Sequence, residues 1–347
     1  MKFIKLFCLL ALITQFEFKP VYSQVFEYLV LRPGIESAAM GGAQTAIVND
    51  YQSFYYNPAG LSRINLFLIG YSKIHYEVFG IAENELPFGG GAIYLRIGVL
   101  GFGIYHSTIK NLITSDDLIK QRSYQLSFAR RVSDHFRFGL TLKYLKKVSG
   151  PGSAYTGDIG MIFENILSQL TFGMANPKPI SFTGKFKKSD FRGLAFGVSL
   201  LNTGPDKVEY GGGSSDPLPQ MLNLGLGYKA LASDFLNATL AIDLNKVLTR
   251  RRGDKDDNFF KAWFTSWGED GWDSFHTGID VNFYYFLSLY FGYEYHFNVL
   301  NETKGGTSTG FAIGPDYARL EVYYRVYPIL LPDNPDREWR VGVSVSY

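Results

Sequence analysis

Chemistry in this chain would have to be built from few parts. His75, His106, His135, His276 and His296 are scattered, and none stands with a second ligand at a spacing such as His-x-x-x-His that would put two imidazoles on one metal. They read as polar residues of strand ends or of an interior face. Gly89-Gly90-Gly91 and Gly211-Gly212-Gly213 lack the lysine of a phosphate loop and read as flexible connectors. Arg250-Arg251-Arg252, followed by Asp254, Asp256 and Asp257, reads as a solvated loop tip rather than a calcium or lipopolysaccharide site. No Ser/His/acid set stands out. The sequence therefore points to no enzyme, no metal and no cofactor, and its near-balanced net charge of +2 gives no reason to expect nucleic acid.

The elements that position these residues begin with a segment to be set aside. Lys2 and Lys5 precede the apolar run Phe7–Ile13, and small residues at Val21-Tyr22-Ser23 fit a signal-peptidase site. Residues 1–23 are thus expected to be a cleaved signal peptide that takes Cys8, the only cysteine, with it. No later segment approaches the twenty or so consecutive apolar residues of a membrane-spanning helix. The sequence holds 24 Tyr and 29 Phe, together with frequent glycine, which suits a barrel with aromatic girdles better than a soluble enzyme core.

The strongest pattern is a period of two from residue 120 to the end. Phe136, Phe138, Leu140, Leu142 and Tyr144 share one face, against Arg137, Gly139, Thr141 and Lys143 on the other. Leu222, Leu224, Leu226 and Tyr228 alternate with Asn223, Gly225, Gly227 and Lys229, and similar runs occupy 287–296 and 319–326. The last run sets Trp339, Val341, Val343, Val345 and Tyr347 against polar or small partners and reads as a barrel-terminal signal. Each run is about ten residues, the length a tilted strand needs to cross hydrocarbon. An open edge in lipid would leave backbone groups unpaired, so the sheet must close. The expected fold is all-β: a transmembrane antiparallel β-barrel over 64–347.

Strands centred near residues 69, 93, 104, 126, 140, 159, 197, 224, 240, 278, 291, 311, 321 and 342 make about fourteen. Short connections alternate with long polar ones, as the two ends of a membrane barrel require. Residues 165–191 break the alternation: either a hairpin is miscounted there, or the chain makes a real excursion at the short-turn end. The long connection 246–272 carries Trp263, Trp267 and Trp272, which form either a partner-contact surface or a self-packed cover over the barrel mouth.

Residues 33–63 do not read as barrel strands, and 24–63 together form the expected N-terminal arm and plug segment. Ser37-Ala38-Ala39-Met40-Gly41-Gly42-Ala43 is a run of small residues that allows close backbone approach, and Asn57-Pro58-Ala59-Gly60 is a turn signal. The composition fits an N-terminal plug or hatch packed inside the barrel; the alternative is an ordinary periplasmic arm.

Met40-Gly41-Gly42-Ala43, Asn49-Asp50, Phe54-Tyr55-Tyr56 and Asn57-Pro58-Ala59-Gly60-Leu61 resemble the opening motif of the PorV/PorQ family. The similarity continues through Arg192–Pro205 and Pro217–Gln220 to the terminal strand, while the inserts 165–191 and 246–272 depart from the family's compactness. That family is related to the FadL-type hydrophobic-compound channels, which carry an Asn-Pro-Ala element in an N-terminal hatch. The resemblance implies an outer-membrane barrel of fourteen strands with a filled lumen. It also implies a role in binding or shuttling exported cargo proteins among secretion-system components, as in type IX secretion. The alternative it allows is a FadL-like transporter of hydrophobic small molecules. The mixed charges expected on the inner faces, among them Arg137, Lys143, Asp158, Asp243, Glu294, Arg319, Glu321 and Arg340, favour the first.

Overall fold

The computed structural model describes residues 29, 34–64, 67–77, 88–97, 100–111, 119–147, 152–172, 191–204, 207–209, 215–233, 235–248, 273–297, 305–315, 318–327 and 336–346. Trp263, Trp267, Trp272, Tyr347 and the expected signal peptide lie outside the described residues.

The alternation becomes a closed antiparallel barrel of fourteen strands. They are β1 (Phe67–Glu77), β2 (Phe88–Ile97), β3 (Leu100–Asn111), β4 (Ile119–Arg131), β5 (Phe136–Lys147), β6 (Ser153–Ile166), β7 (Gly193–Thr203), β10 (Met221–Ala232), β11 (Leu236–Val247), β12 (Ser274–Phe283), β13 (Leu287–His296), β14 (Gly305–Ile313), β15 (Ala318–Tyr327) and β16 (Asp336–Ser346). β8 (Lys207–Glu209) and β9 (Ser215–Pro217) form a separate ribbon in the long connection after β7. Each barrel strand pairs with its neighbour in the chain, and β1 closes on β16 from Leu68 opposite Ser346 to Glu77 opposite Arg337. Every expected strand is present. Gly89-Gly90-Gly91, expected as a connector, instead belongs to β2, where the three glycines pair with Lys73, Ser72 and Tyr71 of β1.

The two faces are chemically opposite. Outside, Leu142 is 70% exposed and Ile93 63%, in a band that continues through Leu126, Phe291 and Val343. Inside, Arg137, Lys143, Asp158, Asp243 and Glu321 are all buried. Large apolar residues pointing out and charges pointing in invert the order of a soluble protein, and match a wall bathed in lipid. Near the long-loop end Tyr124, Tyr144 and Tyr155 lie side by side on β4, β5 and β6, with ring centroids 6.3 and 5.0 Å apart, as in an interfacial aromatic girdle.

The strand count needs no extra hairpin in the 165–191 connection, because among the described residues β6 pairs directly with β7. Its first residues finish the wall. β7 begins too late to cover the end of β10, and Phe172 takes its place, donating its N–H to Ala230 O and accepting from Ala232 N–H. Thr171 Oγ1 donates to Lys229 O and accepts from Gly193 N–H, so the turn is tied to both strands. Gly193 has φ +66°, and a Cβ there would collide with the carbonyls of Ile166 and Leu167.

Candidate functional site in the barrel lumen

The short helix α1 (Ile35–Ala39), the turn at 40–47, the helix α2 (Ser53–Tyr56) and the 3-10 helix Pro58–Arg63 lie against the inner face of the barrel. Almost every residue from 34 to 64 is buried. Helices this short cannot satisfy their own ends. The sequence supplies the missing partners partly from within. Ser37 N–H donates to Gln52 Oε1, and Gln52 in turn is held by Asp50. Gly41 and Gly42, at φ +66° and +92°, reverse the chain after α1 and return their N–H groups to Ala38 O and Ser37 O.

The remaining partners come from the wall. Asp243 Oδ2, on β11, accepts from Gln44 N–H, Thr45 N–H and Thr45 Oγ1 at 2.8, 2.8 and 2.7 Å. A carboxylate on successive amides is a charge-assisted anchor. His276 of β12 bonds through Nδ1 to the carbonyl of Gly41, Arg340 of β16 donates to Gly34 O, and Ser308 of β14 donates to Ala39 O.

The Asn-Pro-Ala-Gly motif acts as a joint. Asn57 Oδ1 caps the 3-10 helix by accepting from Ala59 N–H, while its Nδ2 donates to Thr45 O and to Met161 O of β6. Pro58, lacking an N–H, suits the first position of that helix. It sits over Gly139 and Gly160, where a Cβ on either glycine would collide with it. A Cβ on Gly60 would meet Val48. Of the expected motif residues, Met40, Gly41, Asn57 and Pro58 all touch the wall, Ala43 and Ala59 are buried beside them, and Gly42 completes the turn.

At the short-turn end a buried cluster fixes the far end of the segment. Glu164 Oε2 accepts from Arg63 Nε and Nη2 at 3.1 and 2.8 Å, and Oε1 from Arg137 Nε at 2.6 Å. Arg63 also donates to Val48 O and Ala46 O, and Arg137 to Ser62 O. All three charged side chains are about 1% exposed. A second ion pair, Lys143 with Asp158 at 2.6 Å, supports a bulge between β6 and β7 where Asn202 stands at φ +57°.

Sequence reasoning places Asp243, Arg137 and Arg340 on the lumen face, but misses that they hold the N-terminal segment. It misses Arg63 and Glu164 altogether, since 101 residues separate them. Register also brings His276 and His296 together, with ring centroids 6.4 Å apart, and His296 meets Glu294 at 2.6 Å. Even so, the described residues contain no group of three or more His, Cys, Asp or Glu placed to hold a metal ion.

Fold and lumen together define a transmembrane β-barrel of fourteen strands with its own N-terminal segment inside. The fold is similar to that of a solved structure described as the CymD monoaromatic hydrocarbon channel, with TM-score 0.55, 12% identity, and coverage of 92% of this chain and 98% of that one. It is also similar to the TodX deltaS2S3 mutant monoaromatic hydrocarbon channel, with TM-score 0.51, 12% identity, and coverage of 90% and 98%. The Pseudomonas putida toluene transporter TodX aligns at TM-score 0.49 and 13% identity over 90% and 98%. At these identities the likeness is one of fold. No family model matches the sequence, and a search of curated proteins finds no match.

Proposed function

We propose that this protein is an outer-membrane channel for hydrophobic small molecules, and that residues 34–64 are its hatch. The observation that carries the reading is an apolar zone inside the lumen, where the segment meets the wall. Val48, Tyr51, Phe54 and Leu61 of the segment pack there with Leu68 and Tyr94 of the barrel. A water-filled porin has no use for such a zone, whereas a conduit for apolar solutes requires one. The fold shared with CymD and TodX, two proteins described as hydrocarbon channels, supports the same substrate class. The outward row Val341, Val343 and Val345 on the closing strand serves, in this reading, as the terminal assembly signal.

Expression in the outer membrane of a host lacking its own hydrocarbon channels tests the proposal. Uptake of radiolabelled toluene above that of the empty host is expected; equal uptake would remove the transport reading. One observation favours the second reading, a PorV/PorQ-like role in protein export. Buried charged contacts tie the segment to the wall inside the lumen, as a filled interior would require. Deleting the gene and comparing supernatant and surface proteins checks it: selective loss of proteins sharing a C-terminal sorting domain would move the assignment to export.

A further inference from the structure

The segment is not held equally on all sides, and the inequality points to a route. Its described charged anchors stand on β5, β6, β11 and β16, at Arg137, Glu164, Asp243 and Arg340. The last of these borders β1, whereas along β5, β7 and β13 wall glycines press on the backbone of the segment; those at Gly227 and Gly310 meet the side chains of Ile47 and Ala39. A Cβ at Gly139 would strike the Pro58 carbonyl and Ala59 N, one at Gly197 the Thr45 carbonyl, and one at Gly292 the Met40–Gly41 peptide. Backbone held in this way moves only if charge-assisted hydrogen bonds break with it.

Toward β1 and β3 the contact is of another kind. A Cβ at Gly70 would meet the ring and Cβ of Tyr51, and one at Gly103 would meet the ring of Phe54. Described inner-face neighbours on this side are Leu68, Ala92, Tyr94 and Ala129, with the polar Gln125 and Ser127 further along β4, all buried and uncharged. The two rings are side chains, able to change rotamer while the backbone behind them stays anchored. Glycine opposite each ring leaves the wall flat there, so a ring that turns away opens a slot, bordered at Gly103 by the ring of Tyr94.

We propose that permeating molecules pass along the seam between β1–β3 and the segment, with Tyr51 and Phe54 as its gate. This inference rests on the transport reading and specifies its substrate: a neutral, apolar molecule thin enough to replace an aromatic ring, such as a monoaromatic hydrocarbon.

Two engineered disulfides test the route, one on each side of the segment. The built Cβ position at Gly70 lies 2.9 Å from Tyr51 Cβ, and that at Gly227 lies 3.7 Å from Ala46 Cβ. Disulfides need about 3.5–4.5 Å between Cβ atoms, so the second pair meets the distance once Ile47 Cγ2, 2.3 Å from the built Cβ at Gly227, gives way, and the first requires a small outward shift. Cys8, in the expected leader, is the only native cysteine. Y51C/G70C and A46C/G227C barrels are expressed in the outer membrane of the same host, their folding checked by heat-modifiable gel mobility, and uptake of radiolabelled toluene above that of the empty host is measured oxidised and reduced. Loss of entry in oxidised Y51C/G70C, recovered on reduction, with A46C/G227C conducting in both states, is the expected result. Equal blocking by both bridges would mean that the whole segment moves, and would overturn the seam. Entry unaffected by the Y51C/G70C bridge would overturn it as well. Because a bridge at Gly70 strains the wall, F54A provides a second reading: faster entry is expected, and unchanged entry counts against the gate. Failure of the parent barrel to pass toluene would instead remove the transport reading itself.

Discussion

Replacing Glu164 by Gln tests whether the segment and the barrel are one cooperative structure. Glu164 touches Arg63 and Arg137 together, and the three side chains sit about 1% exposed. The substitution keeps the shape of the side chain but leaves two guanidinium groups without that countercharge. Removing one member of a buried ion pair costs about 3–5 kcal/mol. Arg63→Met is expected to act differently. It leaves the Glu164–Arg137 pair at 2.6 Å intact, but strips the donor from Ala46 O and Val48 O. Each such carbonyl, left buried, costs roughly 1–3 kcal/mol. In the double variant, loss of Arg63 relieves the repulsion created by losing Glu164, so the two costs should fall short of their sum by about 1–3 kcal/mol. Urea unfolding of the barrel in lipid vesicles, followed by tryptophan fluorescence, gives all three values. Costs that add to within ~0.5 kcal/mol would refute the reasoning, because residues more than one contact apart behave in that way. A separate early transition would show instead that the segment leaves while the barrel stands.

Asp243→Asn should weaken the anchor on Gln44 and Thr45 by about 1.5–3 kcal/mol, the range for hydrogen bonds to a charged group, and should raise the rate at which a thiol reagent labels a cysteine placed at Ala46. Gly139→Val is expected to abolish the compact, heat-modifiable form on gels, since its Cβ would collide with the Pro58–Ala59 backbone. Gly157→Ala is the matched control and should fold normally, its Cβ meeting only Thr141 O at 3.5 Å. Leu142→Arg, on the 70%-exposed outer face, should destabilise the barrel by about 2–4 kcal/mol in vesicles if that face lies in hydrocarbon; a cost near zero would place the residue outside it.

How much of this is legible in the sequence follows from the range of the forces involved. The strand pattern is local: Phe138, Leu140 and Leu142 declare a lipid-facing row within a few residues, and the alternation survives wherever a strand separates two media. The count of fourteen can therefore be read, and the connection at 165–191 stands out because parity fails there. Small residues at 37–43 and the turn at Asn57–Gly60 mark the N-terminal segment, but nothing marks its anchors. Asp243 lies 198 residues from Thr45 and His276 235 from Gly41, and no local signal identifies either as a ligand for backbone groups. Phe172 as a substitute for the missing start of β7 has no sequence signal at all; it depends on where β7 begins relative to β10.

Closure also changes the meaning of glycine. In a strand read alone, Gly139 or Gly197 is merely a weak residue that packs nothing. Once the sheet closes, these positions point at a segment too wide for a bore lined by ordinary side chains, and the glycines become the cradle that admits it. The same absence of side chains has two consequences around the ring. Where a wall glycine faces backbone, as at Gly139, it fixes the segment in place. Where it faces an aromatic ring, as at Gly70, it leaves one flat surface against a group able to turn. On the proposed reading, a segment packed inside the barrel is held firmly where its backbone meets the wall and yields where only its side chains do. The distinction lies in which atoms of the segment meet the wall.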